Sequence, residues 1–354
     1  MASRRRHVPE SSAKRFLKHG AIRAGLEGVA LTRAGMLWPA AAGRGVIFTL
    51  HHVRPARRGG FDPIATLSVT PEFLDEAIRV CIESGLTPAA LDDLPRLLAD
   101  PNETRRFAAF TLDDGLRDNA EHAAPVFRRH GVPYTIFVTK GFVERSRSMW
   151  WETAKVLTRS KDQFEFDFGK GMETVITRNL AQKQDTYERI VHFVHSNNED
   201  AAVAEVDRAA RSRMIDPLAI VDQLIMTADE LRALSADPLV RFGAHTQTHI
   251  AMARVDEARL ADEVTGSIDA VESYVGYRPT TFAYPYGTKV AISQREFDAV
   301  AKAGIKLAVT TRPGMLTADS FNQPTELPRV SLNGHYQRRR YVKALLTGIP
   351  FKLF

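Results

Sequence analysis

Two short stretches hold the residue types that hydrolytic chemistry needs. Asp113-Asp114 follows the apolar run Phe107–Leu112, and His245-Thr-Gln-Thr-His249 follows Leu239–Ala244. Each run has the length and composition of a buried β-strand. A carboxylate and two imidazoles at neighbouring strand ends would offer a divalent cation three protein ligands and leave positions open, as a catalytic site requires and a closed structural one does not. The second carboxylate would be free to handle protons. The chemistry this favours is metal-assisted hydrolysis.

The elements that must position these residues repeat along the chain. Further strand-like runs occupy 45–50, 134–139, 281–284, 305–310 and 327–332, with helical patterns between them. In one such pattern Leu260, Val264, Ile268, Val271 and Val275 share a face. Apolar strands alternating with helices predict a parallel sheet covered by helices. Seven strands suit a barrel better than an open sheet, and no G-x-G-x-x-G fingerprint suggests a dinucleotide fold. A barrel places its chemistry at the carboxyl ends of its strands. Those ends carry His51-His52, Asp113-Asp114-Gly115, His245, Pro285-Tyr286-Gly287 and Asn333-Gly334-His335.

Between about 144 and 221 the rhythm breaks. A hairpin at 164–172 and a charge-rich helical stretch from 184 to 214 read as an insertion that shapes a substrate site. Met149-Trp150-Trp151-Glu152 opens it. Trp150 and Trp151 are read either as helix-core residues or as platforms for a pyranose ring, and Glu152 as a helix cap.

With 354 residues, 44% hydrophobic and 25% charged, the chain can form one large α/β domain with appendages or two modest ones. Its one cysteine, Cys81, excludes a disulfide framework and a Cys-rich zinc module, and reads as a buried small hydrophobe in a helix capped by Thr70. The net charge of +6 is uneven. Residues 1–45 hold nine Lys/Arg against Glu10 and Glu27, a net +7, and 335–354 hold five with no acid, which leaves −6 for the middle. The expected organisation is a basic extension over 1–42, helical in part, a catalytic domain over 43–335, and a basic tail over 336–354. Basic ends suit a solvated role or peripheral contact with a membrane. The acidic core lacks basic-aromatic interleaving, so nucleic acid is not the expected partner. No run of 18 apolar residues exists, and Lys14, Arg15, Lys18 and Arg23 interrupt any secretory h-region. A cytoplasmic location, with membrane association possible, is the expectation.

Taken together, Thr111-Leu-Asp-Asp-Gly115, His245-Thr-Gln-Thr-His249 and Phe282-Ala-Tyr-Pro-Tyr-Gly287 resemble motifs of the polysaccharide deacetylases with a NodB homology domain, carbohydrate esterase family 4. The resemblance covers roughly 43–335 and implies a distorted (β/α)7 barrel. It implies Asp114, His245 and His249 as ligands of one divalent metal, Asp113 as general base, and the Tyr286 N–H as oxyanion donor. Zinc is put first, with cobalt, nickel and iron accepted by the same donors. The family's general acid has two counterparts, His51 in Leu50-His-His-Val53 and His335 in Ser331-Leu-Asn-Gly-His335, with His51 preferred. The family's arginine is replaced by Ala283, and Arg329 is the candidate to supply that guanidinium. The implied activity is removal of N-acetyl groups from an acetylated carbohydrate. O-acetyl ester or small cyclic-amide hydrolysis, and a carbohydrate-binding barrel without turnover, stand as alternatives.

Overall fold

The computed structural model describes residues 12–32, 34–56, 59–100 and 102–353. Seven parallel strands form its centre: β1 (Gly45–Leu50), β2 (Arg106–Leu112), β3 (Tyr134–Val138), β4 (Val240–Ala244), β5 (Thr281–Ala283), β6 (Leu307–Val309) and β7 (Val330–Ser331). Their order is β6-β5-β4-β3-β2-β1-β7, with Leu86–Pro88 paired alongside β2. The sheet curls, and a bridge from Leu327 to Val309 joins its two ends into a distorted barrel. Every residue of β1 is buried, as expected for strands covered on both faces.

Register decides which side chains meet. Leu50 pairs with Leu112, and Val138 with Ala244. The chain therefore leaves β1 and β2 together, and the Asp113 amide donates to the Leu50 carbonyl at 3.0 Å. In the same way the His245 amide donates to Val138 at 3.0 Å. The late strands are shorter than the sequence suggests. Pro285 follows β5 and Pro328 precedes β7, and neither has an N–H to give the ladder.

The helices cover this sheet as their apolar periodicity requires. Pro71–Glu83 starts at an N-cap in which the Thr70 side chain accepts from the Phe73 amide, and it buries Cys81. Between β3 and β4 lies the insertion: a helix over Trp150–Ser160, the hairpin Gln163–Asp167 with Met172–Ile176, and helices Leu180–Ser196, Glu199–Arg211 and Pro217–Leu224.

The two basic ends pack together. Leu26 and Val29 of helix Ser12–Thr32 are buried with Tyr341 and Ala344 of helix Arg339–Leu346. The C-terminal segment is thus not a free, solvated tail. Arg339 pairs with Glu76 and Glu83, and Arg340 holds Glu27 through two contacts of 2.6 and 2.7 Å. Part of the basic charge is neutralised inside the fold. The N-terminal arginines Arg4, Arg5 and Arg6 lie outside the described residues. Among those described, no helix is long and apolar enough to cross a membrane.

Candidate active site

The strand ends hold their functional residues on strained backbone. Asp114, Thr246, His249 and Tyr286 have φ of 76°, 61°, 54° and 60°, in the left-handed region that non-glycine residues seldom occupy. Two of these strained turns are pinned by side chains. The buried Glu263 carboxylate accepts from the amides of Gln247 and Thr248, both at 2.9 Å, and the His249 amide donates to the Thr246 hydroxyl at 2.9 Å. At the Tyr286-Gly287 turn the Thr311 hydroxyl donates to the Tyr286 carbonyl at 2.6 Å. Gly287 is required there, because with φ of 58° an added Cβ would lie 2.4 Å from the Thr311 nitrogen.

This brings Asp114, His245 and His249 together, with potential ligand atoms all within 4.8 Å. The Nε2 atoms of His245 and His249 lie 3.6 and 3.4 Å from Asp114 Oδ1. These are long for hydrogen bonds, but ligands each about 2.1 Å from a shared cation stand about 3.4 Å apart at the tetrahedral angle. Asp114 Oδ1 is buried and has no hydrogen-bond partner. His245 Nδ1 lies 2.6 Å from the Ala283 carbonyl, which selects the tautomer with a free lone pair on Nε2. Burial, then the charge of Asp113, pushes the Asp114 carboxyl up to about 8, and burial holds both histidines down. Two neutral imidazoles and a carboxylate that needs a positive partner fit a divalent cation.

Asp113 already has its partner. Arg329, entering β7, donates from both terminal nitrogens to the two Asp113 oxygens, each at 2.7 Å, and from Nε to the Thr310 carbonyl at 2.8 Å. Burial alone would raise the Asp113 carboxyl, but the Arg329 guanidinium overrides it and holds the group well below the usual carboxylate range. Arg329 therefore supplies a guanidinium to Asp113.

The two candidate acids end in different places. His51 Nε2 lies 4.0 Å from Asp113 Oδ2, and burial pushes its pKa down to about 4. His335 is exposed, edge-on to His19 at 4.9 Å, with its amide on Asn333 Oδ1. Placing His335 in the site is corrected by the structure. After β7 the Asn333-Gly334 turn donates to Thr66 and carries the chain toward the N-terminal helix.

The tryptophans also need correcting. Trp150 and Trp151 are 5% and 8% exposed, so neither face is open to a pyranose. Trp151 packs on the His249 ring at 4.7 Å, and Trp150 Nε1 donates to the Tyr286 hydroxyl at 3.0 Å. That hydroxyl donates in turn to Glu199 at 2.6 Å. The indoles form a wall behind His249 and Tyr286.

Sequence reasoning missed what the insertion adds behind this wall. His52 is buried between Asp118, 2.6 Å from Nδ1, and Glu152, 3.1 Å from Nε2. Lys155 pairs with the other Glu152 oxygen. Burial opposes the charge on His52, but the two carboxylates win and raise its pKa. Burial would likewise raise Glu152, yet His52 and Lys155 bring it to about 2. The available signal was a Glu beside two tryptophans in a helix whose first turn is buried all round.

Comparisons with known proteins bear on the fold and the family. The family model for polysaccharide deacetylase matches residues 100–308, which include both motifs but neither His51 nor Arg329. No curated protein matches the chain. Among solved structures, the deacetylase PplD of Streptococcus pyogenes, solved with acetate, is 15% identical with a TM-score of 0.53, covering 82% of this chain and 92% of its own. A polysaccharide deacetylase of Bacillus cereus is 14% identical with a TM-score of 0.53, covering 85% and 68%. A de-N-acetylase of Aggregatibacter actinomycetemcomitans is 10% identical with a TM-score of 0.50, covering 81% and 94%. At these identities the structures speak for the fold alone. The family match spans more than half of the chain, on the segment that carries both motifs, so the protein belongs to the polysaccharide deacetylase family, hydrolases acting on the acetyl groups of polysaccharides.

Proposed function

We propose that the chain removes N-acetyl groups from an acetylated amino-sugar glycan by hydrolysis, with a divalent cation held by Asp114, His245 and His249. The observation that carries this reading is the contrast between two adjacent buried carboxylates, one clamped by Arg329 and the other left with a bare oxygen facing two imidazoles. When bound, the cation supplies Lewis acidity, making water more acidic and polarising the acetyl carbonyl. Zinc is expected first, and cobalt, nickel or iron suit the same donors.

Asp113 stays ionised at any physiological pH and accepts a proton as water attacks the carbonyl carbon. The clamp that keeps it ionised also makes it a poor resting place for that proton. His51, within 4.0 Å and neutral, is assigned to take the proton on and return it to the amide nitrogen. The C–N bond then breaks, giving acetate and a free amine. The Tyr286 N–H is assigned to the developing oxyanion. Trp151 and the Tyr286 ring, packed on His249, keep bulk water from that side.

Acetate release from chito-oligosaccharides by zinc-loaded protein tests the reading, with acetylated xylan as the O-acetyl comparison. Release at the same rate by Asp113→Asn would overturn the mechanism. Release from xylan alone would move the assignment to an esterase.

A further inference from the structure

We propose that Asn119, with the buried pair of His52 and Glu152, positions His51 to protonate the departing amine, so that the insertion serves the acid side of the site. This rests on the deacetylase reading, in which His51 returns a proton to the amide nitrogen. The three are positioning residues, because each acts through the backbone of 51–53. The need for them lies in His51 itself. Among the described residues none hydrogen-bonds to its ring, which stands 4.0 Å from Asp113 Oδ2. A proton donor must come within hydrogen-bond reach of the leaving nitrogen. With no partner on the ring, the backbone that carries it sets its place.

That backbone is clamped. The buried Asn119 side chain donates to the His51 carbonyl at 2.8 Å and to Asp118 Oδ1 at 3.0 Å. Both partners are acceptors, so the two hydrogens of the amide are committed and its orientation is fixed. Asp118 Oδ1 also accepts from the Val53 amide at 3.2 Å. His52 carries the clamp on to the insertion, with Asp118 at one ring nitrogen and Glu152 at the other. Glu152 stands in the first turn of helix Trp150–Ser160, directly after the two tryptophans. Trp150 donates to the Tyr286 hydroxyl, and Trp151 packs on the His249 ring. Three consecutive residues thus reach the proposed oxyanion turn, a proposed ligand and the segment that carries the proposed acid. A buried ion pair adds little stability over apolar residues of the same volume, and its best-attested use is to fix one arrangement over others. At His52 the arrangement fixed is that of 51–53.

The test is a double-mutant cycle on acetate release from chito-oligosaccharides by zinc-loaded protein. Asn119→Ala should lower kcat about 10²-fold, the scale of a displacement of about 1 Å, and leave KM and zinc content as they are. In the His51→Ala background the same change should cost nothing further, because the clamp acts through His51. His52→Asn keeps a polar group toward Asp118 and leaves Glu152 paired with Lys155, but cuts the link to the insertion. It should lower kcat less than Asn119→Ala and be silent in the same background. On p-nitrophenyl acetate, whose leaving group departs without a proton, both variants should lose far less. Equal losses on amide and aryl ester, or full additivity with His51→Ala, overturns the assignment and makes the clamp a support of the whole site. Unaltered protein that hydrolyses the ester but not the amide overturns the deacetylase reading, and this assignment falls with it.

Discussion

Asp113 and Asp114 are adjacent in the chain and both about 2% exposed, yet the regions around them are built in opposite senses. On the Asp113 side, β1, β2 and β7 converge to place Arg329 and the Thr49 hydroxyl around one carboxylate, with the Thr111 hydroxyl accepting from Arg329. On the Asp114 side, β4 and the insertion converge to place two imidazoles and an aromatic wall, with no cation and no donor on Oδ1. Residue type and burial are the same, so the sign of the surroundings decides. The fold provides its own cation to one aspartate and leaves the other open to the proposed divalent cation.

The largest way to break this comparison is to neutralise each aspartate in turn. Asp113→Asn should lower acetate release by about 10²- to 10⁴-fold, the scale of a lost general base, and keep its metal. Asp114→Asn should lose both metal and activity. Metal analysis beside rate measurement separates the two, and a metal-free Asp113→Asn protein would show that the division of labour is wrong.

Removing the internal cation comes next. Arg329→Ala leaves Asp113 buried and unpaired, which costs about 3–5 kcal/mol in denaturant unfolding. Metal content should be unaffected. Arg329→Lys should recover part of the stability but less of the rate, because an ammonium cannot make the two parallel contacts. Loss of metal in either variant would mean that the two sides are one unit.

The pH dependence of stability should split the same way. In cation-free protein the Asp114 carboxyl is raised from 3.8 to about 8. Its contribution is fully present below about 4 and lost as pH rises through 8. Asp113 is depressed, so its contribution is present above about 4 and lost only as pH falls further. His51, His195, His245 and His249 are held below 6.5 by burial and give the opposite slope between about pH 4 and 6.5. The unfolding midpoint of cation-free protein should therefore fall between about pH 6.5 and 8, and added zinc should flatten that decline by removing the reason for Asp114 to hold a proton. A flat profile without metal would contradict the Asp114 environment.

How far the sequence reaches differs between the same two sides. The grouping of Asp114, His245 and His249 was legible because these residues belong to short motifs at strand ends, where strand length, apolar run and polar terminus are all local. Arg329 was reachable because a single basic residue stands at the start of a strand that a barrel must bring back beside β1. His52, Glu152 and Lys155 were not legible, because a buried charge looks like a surface charge until its partner is known, and here that partner is 100 residues away. Trp150 and Trp151 failed as sugar platforms for a related reason. Aromatic type says that a large face must be covered, but whether by sugar or by His249 and Tyr286 depends on where the insertion folds.

The smallest effect sharpens the Asp114 side. Trp150 donates to Tyr286, whose hydroxyl also holds Glu199, so one indole N–H ties the insertion to the turn that carries the proposed oxyanion donor. Trp150→Phe keeps most of the ring and removes only that donor. The stability cost should be about 1 kcal/mol, the net value of one part-buried hydrogen bond. If the bond orients the Tyr286 turn, kcat should fall several-fold while KM and metal content stay as they are. A fall in stability alone would confine Trp150 to packing and leave the turn held by Thr311 and Gly287.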